Sequence, residues 1–229
     1  MIAVVSDVHG NLVALQAVLD DLERLGPDLV VHGGDLALHG SRPAECVDAI
    51  RERGWPGVLG NTDEMLWTGP PGGLPVPVES IGWTADQLGP ERLGWLREQP
   101  LEWRHGAQVA LVHATPGDLW ANVRTDAPDV ELRGIYEPLG AAVAVFCHIH
   151  RPFVRVLPEL TVANSGSVSL SLDGDPRASF LTVDEGIATV HRVAYDLQRA
   201  IADVLASNNP SREWIAERLR TARPVPKSA

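Results

Sequence analysis

MIAVVSDVHGNLVAL, residues 1–15, passes from a β-branched apolar stretch through a polar loop into a leucine-rich one. Ile2 to Val5 is short, continuous and apolar, as expected of a strand buried on both faces. From Leu12 onward Leu15, Val18, Leu19, Leu22 and Leu25 recur at helical spacing, with Asn11 placed to cap the helix and Gly26-Pro27 to stop it. Strand, loop, helix is the predicted unit, and it repeats at once. Asp28 to His32 predicts a second strand, Gly33 to Ser41 a loop, Pro43 to Arg53 a helix, and Gly57 to Leu59 a short third strand ending in Gly60-Asn61. Strands alternating with helices predict a mainly parallel sheet at this end of the chain.

Residues 68–100 are rich in proline and glycine and predict a covering segment of loop and helix. Trp67, Trp83 and Trp95 in and beside it are expected as core aromatics, with the walls of a substrate pocket as the alternative. Val109 to Val112 and Ala142 to Phe146 predict further buried strands. Phe153 to Leu157, Leu160 to Val162, Ala178 to Val183 and Ile187 to Val193, broken by turn signals such as Asp173-Gly174-Asp175-Pro176, predict an antiparallel meander. Residues 195–229 predict two helices, Tyr195 to Ala206 and Glu213 to Arg220, and a frayed tail. One domain over residues 1–229 is expected.

The balance of 19 basic against 30 acidic residues, a net charge of −11, argues against a stable nucleic-acid partner. Cys46 and Cys147 are the only cysteines, which predicts reduced thiols rather than a disulfide scaffold. No signal-like start and no 18-residue uncharged apolar run occurs, so a soluble cytoplasmic protein without a membrane partner is expected. Homo-oligomerisation is compatible with all of this.

Polar residues of one kind collect at the predicted strand ends: Asp7 and His9, Asp35 in GGDL, Asn61 in GNTD, His113 in LVHA, and His148 and His150 in CHIH. Ligands of open α/β sheets bind outside the carboxyl ends of the strands, so these seven side chains are expected to converge. Carboxylate, amide and imidazole donors suit borderline transition ions: manganese foremost, with iron, zinc or nickel as alternatives. Seven donors exceed the needs of one catalytic ion, and a shared aspartate can hold two roughly 3.5–4 Å apart.

The ordered series DVH, GGD, GNTD, VHA and HIH resembles that of the calcineurin-like metallophosphoesterases. GDLALHGSRPAECVDAI and NSGSVSLSLDGDPRAS look like segments of their small bacterial and archaeal members. The resemblance implies an α/β (α+β) fold, a four-layer sandwich of two mixed β-sheets flanked by helices. It further implies that Asp7, His9, Asp35 and His150 hold one divalent ion and Asp35, Asn61, His113 and His148 the other. The implied reaction is hydrolysis of a small phosphoester, a phosphodiester or nucleotide above all. A protein serine/threonine phosphatase, or a metal-binding sensor weakened in catalysis, is the alternative.

This chain departs from the pattern at Thr62, where the family usually carries the histidine assigned to protonating the leaving group. A threonine hydroxyl donates a hydrogen bond to a phosphate oxygen but is no acid near neutral pH. Asp63 matches the family's orienting aspartate, without its histidine partner. His39 is expected to bind phosphate or donate a proton, and Asn11 to cap its helix or reach the substrate. Cys147 replaces a family glycine and is expected as a small buried hydrophobe, while His32, His105 and His191 are expected to be structural.

Overall fold

Successive side chains of the first strand, β1 (Ile2–Val5), enter two different cores. In the computed structural model, which describes residues 1–72 and 76–226, Ile2 and Val4 pack between two sheets while Ala3 and Val5 pack against helices. A strand covered on both faces has no polar side to alternate with, so its sequence is a continuous apolar run.

After β1 come α1 (Leu12–Leu25), β2 (Leu29–His32), α2 (Pro43–Arg51), α3 (Asn61–Thr68) and α4 (Val78–Arg97). The middle of the chain forms β3 (Glu102–His105), β4 (Val109–Val112), α5 (Asp129–Tyr136), β5 (Val143–Phe146), β6 (Phe153–Leu157) and β7 (Leu160–Asn164). Last are β8 (Ala178–Asp184), β9 (Ile187–Val193), α6 (Leu197–Ala206) and α7 (Arg212–Thr221). One sheet has the order β2-β1-β8-β9 and the other β3-β4-β5-β7-β6. Both are mixed: β1–β2, β4–β5 and β5–β7 are parallel and the other pairs antiparallel.

The inner faces meet through Val4, Val31 and Leu181 on one side and Leu111, Val145 and Ala163 on the other. Outside the first sheet, Leu15, Val18, Val47 and Ile50 of α1 and α2 cover Val5 and Phe180. Outside the second, Leu132 and Tyr136 of α5 cover Val112, Phe146 and Val162. The layers are helix, sheet, sheet, helix. The C-terminal pair α6–α7 closes a separate small core, in which Ile201, Val204, Ile215 and Leu219 pack on Leu170 and the half-buried Val13.

The structure replaces the predicted meander with two hairpins, β6–β7 and β8–β9, placed in different sheets. Turn residues specify a hairpin but not the sheet that receives it: β7 joins β5 in parallel, while β8 lies antiparallel to β1. Residues 57–59 form no strand. Gly57 makes a single bridge to His32, after which the Leu59 amide turns to the Pro100 carbonyl and Asn61 already opens α3. Sequence reading missed β3, a partly exposed edge strand with no apolar alternation, and α5, which is eight residues long. The covering segment is chiefly α4, kinked at Gly89-Pro90 and tied down by the Arg92–Asp48 ion pair at 2.5 Å. Trp67 and Trp95 pack half-buried against the core. Residues 73–75 of that segment and 227–229 of the expected tail lie outside the described residues. Among the described residues no helix is long and apolar enough to cross a membrane.

Candidate metal centre

The loops that follow β1 and β2 stay hydrogen-bonded to each other beyond the strands. Gly33 donates to Val5 O, Asp7 to Gly34 O, His9 to Asp35 O and Gly10 to Leu36 O, at 2.9 to 3.0 Å. Keeping this ladder while the chain turns requires left-handed backbone at non-glycine residues. Asp7 (φ 54°), His9 (48°), Asp35 (57°), His148 (65°) and His150 (54°) all adopt it, and so does His39 at 80°. Such residues are uncommon and store of order 1–3 kcal/mol each where surroundings over-determine them, so their concentration at one place marks a built site. Gly60 shows how tightly it is built: a β-carbon there would lie 2.2 Å from the Asp35 carboxylate. The serine-rich stretch after β7 holds the other side, with Ser167 Oγ and the Ser169 amide both donating to Asp7 O.

Asp7, His9, Asp35 and His150 each direct one donor atom into a cluster whose members lie within 4.8 Å of one another, all buried. His9 and His150 each give their Nδ1 proton to a backbone carbonyl, Leu38 O at 2.8 Å and Leu170 O at 2.7 Å. Their Nε2 atoms then face each other 3.1 Å apart. With both Nδ1 protons committed, two neutral rings oppose lone pair to lone pair, which only a shared proton or a cation relieves. His113 repeats the pattern: Nδ1 donates to Gly33 O at 2.7 Å and Nε2 faces Asn61 Oδ1 at 2.8 Å. The same Asn61 oxygen lies 2.9 Å from His148 Nδ1. Asp35 stands between the two groups, Oδ2 3.8 Å from His9 Nε2 and Oδ1 3.6 Å from His113 Nε2.

The electrostatics ask for positive charge. Asp7 Oδ1 is buried with no hydrogen-bond partner, and the ion-pair contacts of Asp7 and Asp35 are all to histidines. Burial and the neighbouring Asp7 push Asp35 up to about 7, although the Thr62 amide donates to its Oδ1 at 2.8 Å. Asp63 is also pushed up to about 7, by burial and by Asp35. Burial, then the adjacent histidines, lower His9 and His148 to about 3, which keeps these rings neutral and able to donate lone pairs at neutral pH. Buried carboxylates beside neutral imidazoles, with no lysine or arginine paired to Asp7 or Asp35 among the described residues, form a site that a divalent cation fits.

The sequence profile of the calcineurin-like phosphoesterase superfamily domain matches residues 1–186. The chain belongs to that superfamily. It is a metal-dependent phosphoesterase, and its Asp/His cluster can hold metal. The uncharacterized protein MJ0912 of Methanocaldococcus jannaschii is 30% identical, over 97% of this chain and 98% of its own length. A metallophosphoesterase from Sphaerobacter thermophilus, 29% identical, superposes with a TM-score of 0.81 over 96% of this chain and 99% of that one. The hypothetical protein PH1004 of Pyrococcus horikoshii shares the fold, with a TM-score of 0.85 at 19% identity over 98% of this chain and 100% of that one.

Around this Asp/His cluster the remaining predicted residues take distinct places. Asp63 spans the Asp35 loop, accepting from the amides of Asp35 at 2.7 Å and Leu36 at 3.0 Å. Thr62 is buried, with its amide donating to Asp35 and its side chain beside the same carboxylate. His39 is buried, its ring 5.7 Å from that of His9 and 5.4 Å from that of Trp214 on α7. Asn11 caps α1 through the Ala14 amide and gives its own amide proton to Ser169, so both ends of its side chain are engaged within the protein. Cys147 lies in the core between the sheets, where burial raises its thiol, and its Sγ occupies the space a β-carbon on Gly33 would need. His32 packs on Trp95, His191 stacks on Phe180, and His105 lies exposed on β3.

A cleft of about 590 Å³ opens beside His148, with Arg124, Thr125, Arg151, Leu172 and Pro224 in its walls. Sequence reading did not find Arg151, Arg218 or the carbonyls of Gly33, Leu38 and Leu170 that fix the imidazole tautomers. The carbonyls carry no residue-type signal. NSGSVSLS was the visible trace of the serines that hold Asp7.

Proposed function

We propose that the chain hydrolyses a phosphodiester or a small nucleotide at a two-ion centre. Asp7, His9, Asp35 and His150 would hold one ion and Asp35, Asn61, His113 and His148 the second, with Asp35 bridging. The observation that carries this reading is the opposition of lone-pair donors, Nε2 of His9 to Nε2 of His150 at 3.1 Å and Nε2 of His113 to Asn61 Oδ1 at 2.8 Å. Two such confrontations on either side of one aspartate suit two cations, and the mixed oxygen and nitrogen donors suit manganese first, then iron, zinc or nickel.

Bound ions of this kind polarise phosphoryl oxygens and activate water near neutral pH. The protein's own groups do the rest. Asp63 holds the Asp35 loop so that both Asp35 oxygens face the ligand clusters. Thr62 Oγ1, buried beside Asp35, donates a hydrogen bond to a phosphoryl oxygen. His39 is the nearby imidazole able to assist a departing alkoxide, in the absence of a histidine at position 62. The cleft beside His148 has the size of small-molecule sites, and the net charge of −11 disfavours a long polyanion.

Manganese-loaded protein offered bis-p-nitrophenyl phosphate tests the proposal. Turnover that chelator removes, manganese restores and Asp35→Asn lacks is the expected result. Turnover equal in wild type and Asp35→Asn would refute it. Elemental analysis reading one ion per chain would overturn the two-ion assignment alone.

A further inference from the structure

The superfamily match ends at residue 186, yet α6 and α7 reach back to the metal centre. Asn209 between them donates to Gly40 O at 3.2 Å, in the loop that carries Asp35 and His39. From α7, Trp214 meets the His39 ring at 5.4 Å, and His39 meets His9 at 5.7 Å. Arg218, one turn further, lies over the Trp214 ring at 4.7 Å. Its Nε is buried without a hydrogen-bond partner, and no carboxylate of the described residues forms an ion pair with it.

This is an uncommon state for an arginine in a chain with 30 acidic residues. The side chain is half-buried, and burial draws its pKa down to about 10, so holding this charge without a counter-ion among the described residues works against the fold. The other arginines of α7 behave ordinarily: Arg220 pairs with Glu217 at 3.1 Å, and Arg212 lies 3.9 Å from Glu213. A half-buried cation near the Asp/His cluster, held on an aromatic face and without a counter-ion among the described residues, is suited to an anion that arrives with the substrate. The contact path from His9 to Arg218 runs through two rings, so the guanidinium stands beyond the ligand cluster rather than within it.

We propose that Arg218 is an anion-binding residue which the C-terminal helices add to the phosphoester site, and that it takes a second phosphate group of the substrate. The inference rests on the reading of the Asp/His cluster as the hydrolytic centre, and it narrows the substrate class to small molecules with at least two phosphates. Arg218 is a specificity-determining residue in this scheme, and Trp214 the platform that orients it.

Calorimetric titration of the manganese-loaded full chain with AMP and with ADP, in excess manganese, separates this proposal from the hydrolytic reading because it needs no turnover. Wild type is expected to bind ADP about 10- to 100-fold more tightly than AMP, the range of one hydrogen-bonded charge contact. Arg218→Ala is expected to erase that gap, Arg218→Lys to restore part of it, and Arg220→Ala to leave it intact. Bound manganese should be the same in all four proteins. The ligand-free thermal midpoint of Arg218→Ala should equal or exceed that of wild type, since a half-buried charge without a counter-ion among the described residues has been removed. An ADP-to-AMP ratio unchanged by Arg218→Ala overturns the proposal. A lowered midpoint together with an unchanged ratio would assign Arg218 to packing on Trp214 instead. Loss of metal-dependent diesterase activity in wild type would refute the hydrolytic reading and leave the titration result standing.

Discussion

The ligand-bearing loops and the C-terminal helices both face one site, yet they are made in opposite ways. The loops place six non-glycine residues in left-handed backbone, and glycines such as Gly60 fill gaps with no room for a methyl group. In α6–α7 the left-handed residue is Ala222 at the end of α7, and the pair is fastened by Ile201, Val204, Ile215 and Leu219, an ordinary apolar seam. One region is specified by backbone geometry that few residues satisfy, the other by a side-chain pattern that many sequences satisfy. The difference teaches where tolerance lies: the donor geometry is fixed in the strained loops, while the proposal for Arg218 has the substrate tuned from the helices.

If that contrast is right, the greatest loss follows from the residue common to both donor groups. Asp35→Asn is expected to lower metal-dependent turnover by about three orders of magnitude or more, as removing charge stabilisation worth several kcal/mol would. In wild type, manganese at about a hundred times its Kd should stabilise the fold by about 2.7 kcal/mol, a rise of roughly 5–10 °C for a chain of this size. Asp35→Asn should lose most of this rise in a thermal melt. The rise should also be larger at pH 8 than at pH 6. Asp35 is pushed up to about 7, so the metal-free fold holds a proton there that an unfolded carboxyl releases at lower pH. That group alone makes the metal-free protein less stable as pH climbs through 7, and below 7 the cation must displace the proton.

Much of this centre was legible because metal chemistry restricts residue type. Asp7, His9, Asp35, Asn61, His113, His148 and His150 stand out at strand ends, and the structure gathers them although the chain separates the first from the last by 143 positions. Both faces of β1, β4 and β5 could be read from their apolar runs, since a fully covered strand leaves no other solution. What stayed hidden depends on partners rather than on residue type. The destination of the β6–β7 and β8–β9 hairpins is decided by which edge of which sheet is open. Edge strand β3 has a half-polar sequence because water covers part of it. Arg218 carries no local signal at all, for its neighbours in sequence are ordinary helix surface, and only the folded position of Trp214 and His39 makes it unusual.

A smaller effect, and one of opposite sign, is expected at Thr62. Its amide already serves Asp35, so the backbone there is fixed and the side chain alone can vary. Thr62→His is expected to raise turnover of esters with poor leaving groups by about 10²-fold, the lower end of general-acid catalysis, and to change p-nitrophenyl esters little. A uniform loss across both substrate types would show that the larger ring displaces the loop instead. Asp63→Asn, which keeps the shape but weakens acceptance from the Asp35 and Leu36 amides, should reduce metal affinity or turnover by about 10- to 100-fold. A melt that tracks the loss of bound manganese would place the effect in the geometry of the loop.

The least effect on the centre is expected from thinning the apolar seam of the helices. Ile201 is 5% exposed in the core that joins α6 to α7, and shortening it to valine removes one methylene from a packed contact. Such changes destabilise by about 0.5–1.5 kcal/mol, or roughly 2–4 °C in the melting midpoint. The loops around Asp7 and Asp35 are held by their own ladder of hydrogen bonds to one another and by Ser167, and Ile201 takes part in none of these bonds. Ile201→Val should therefore lower the midpoint while leaving bound manganese per chain unchanged. Metal loss on so mild a change would mean that the helices hold the loops in shape, and the division between a rigid centre and a tolerant helical cover would fail.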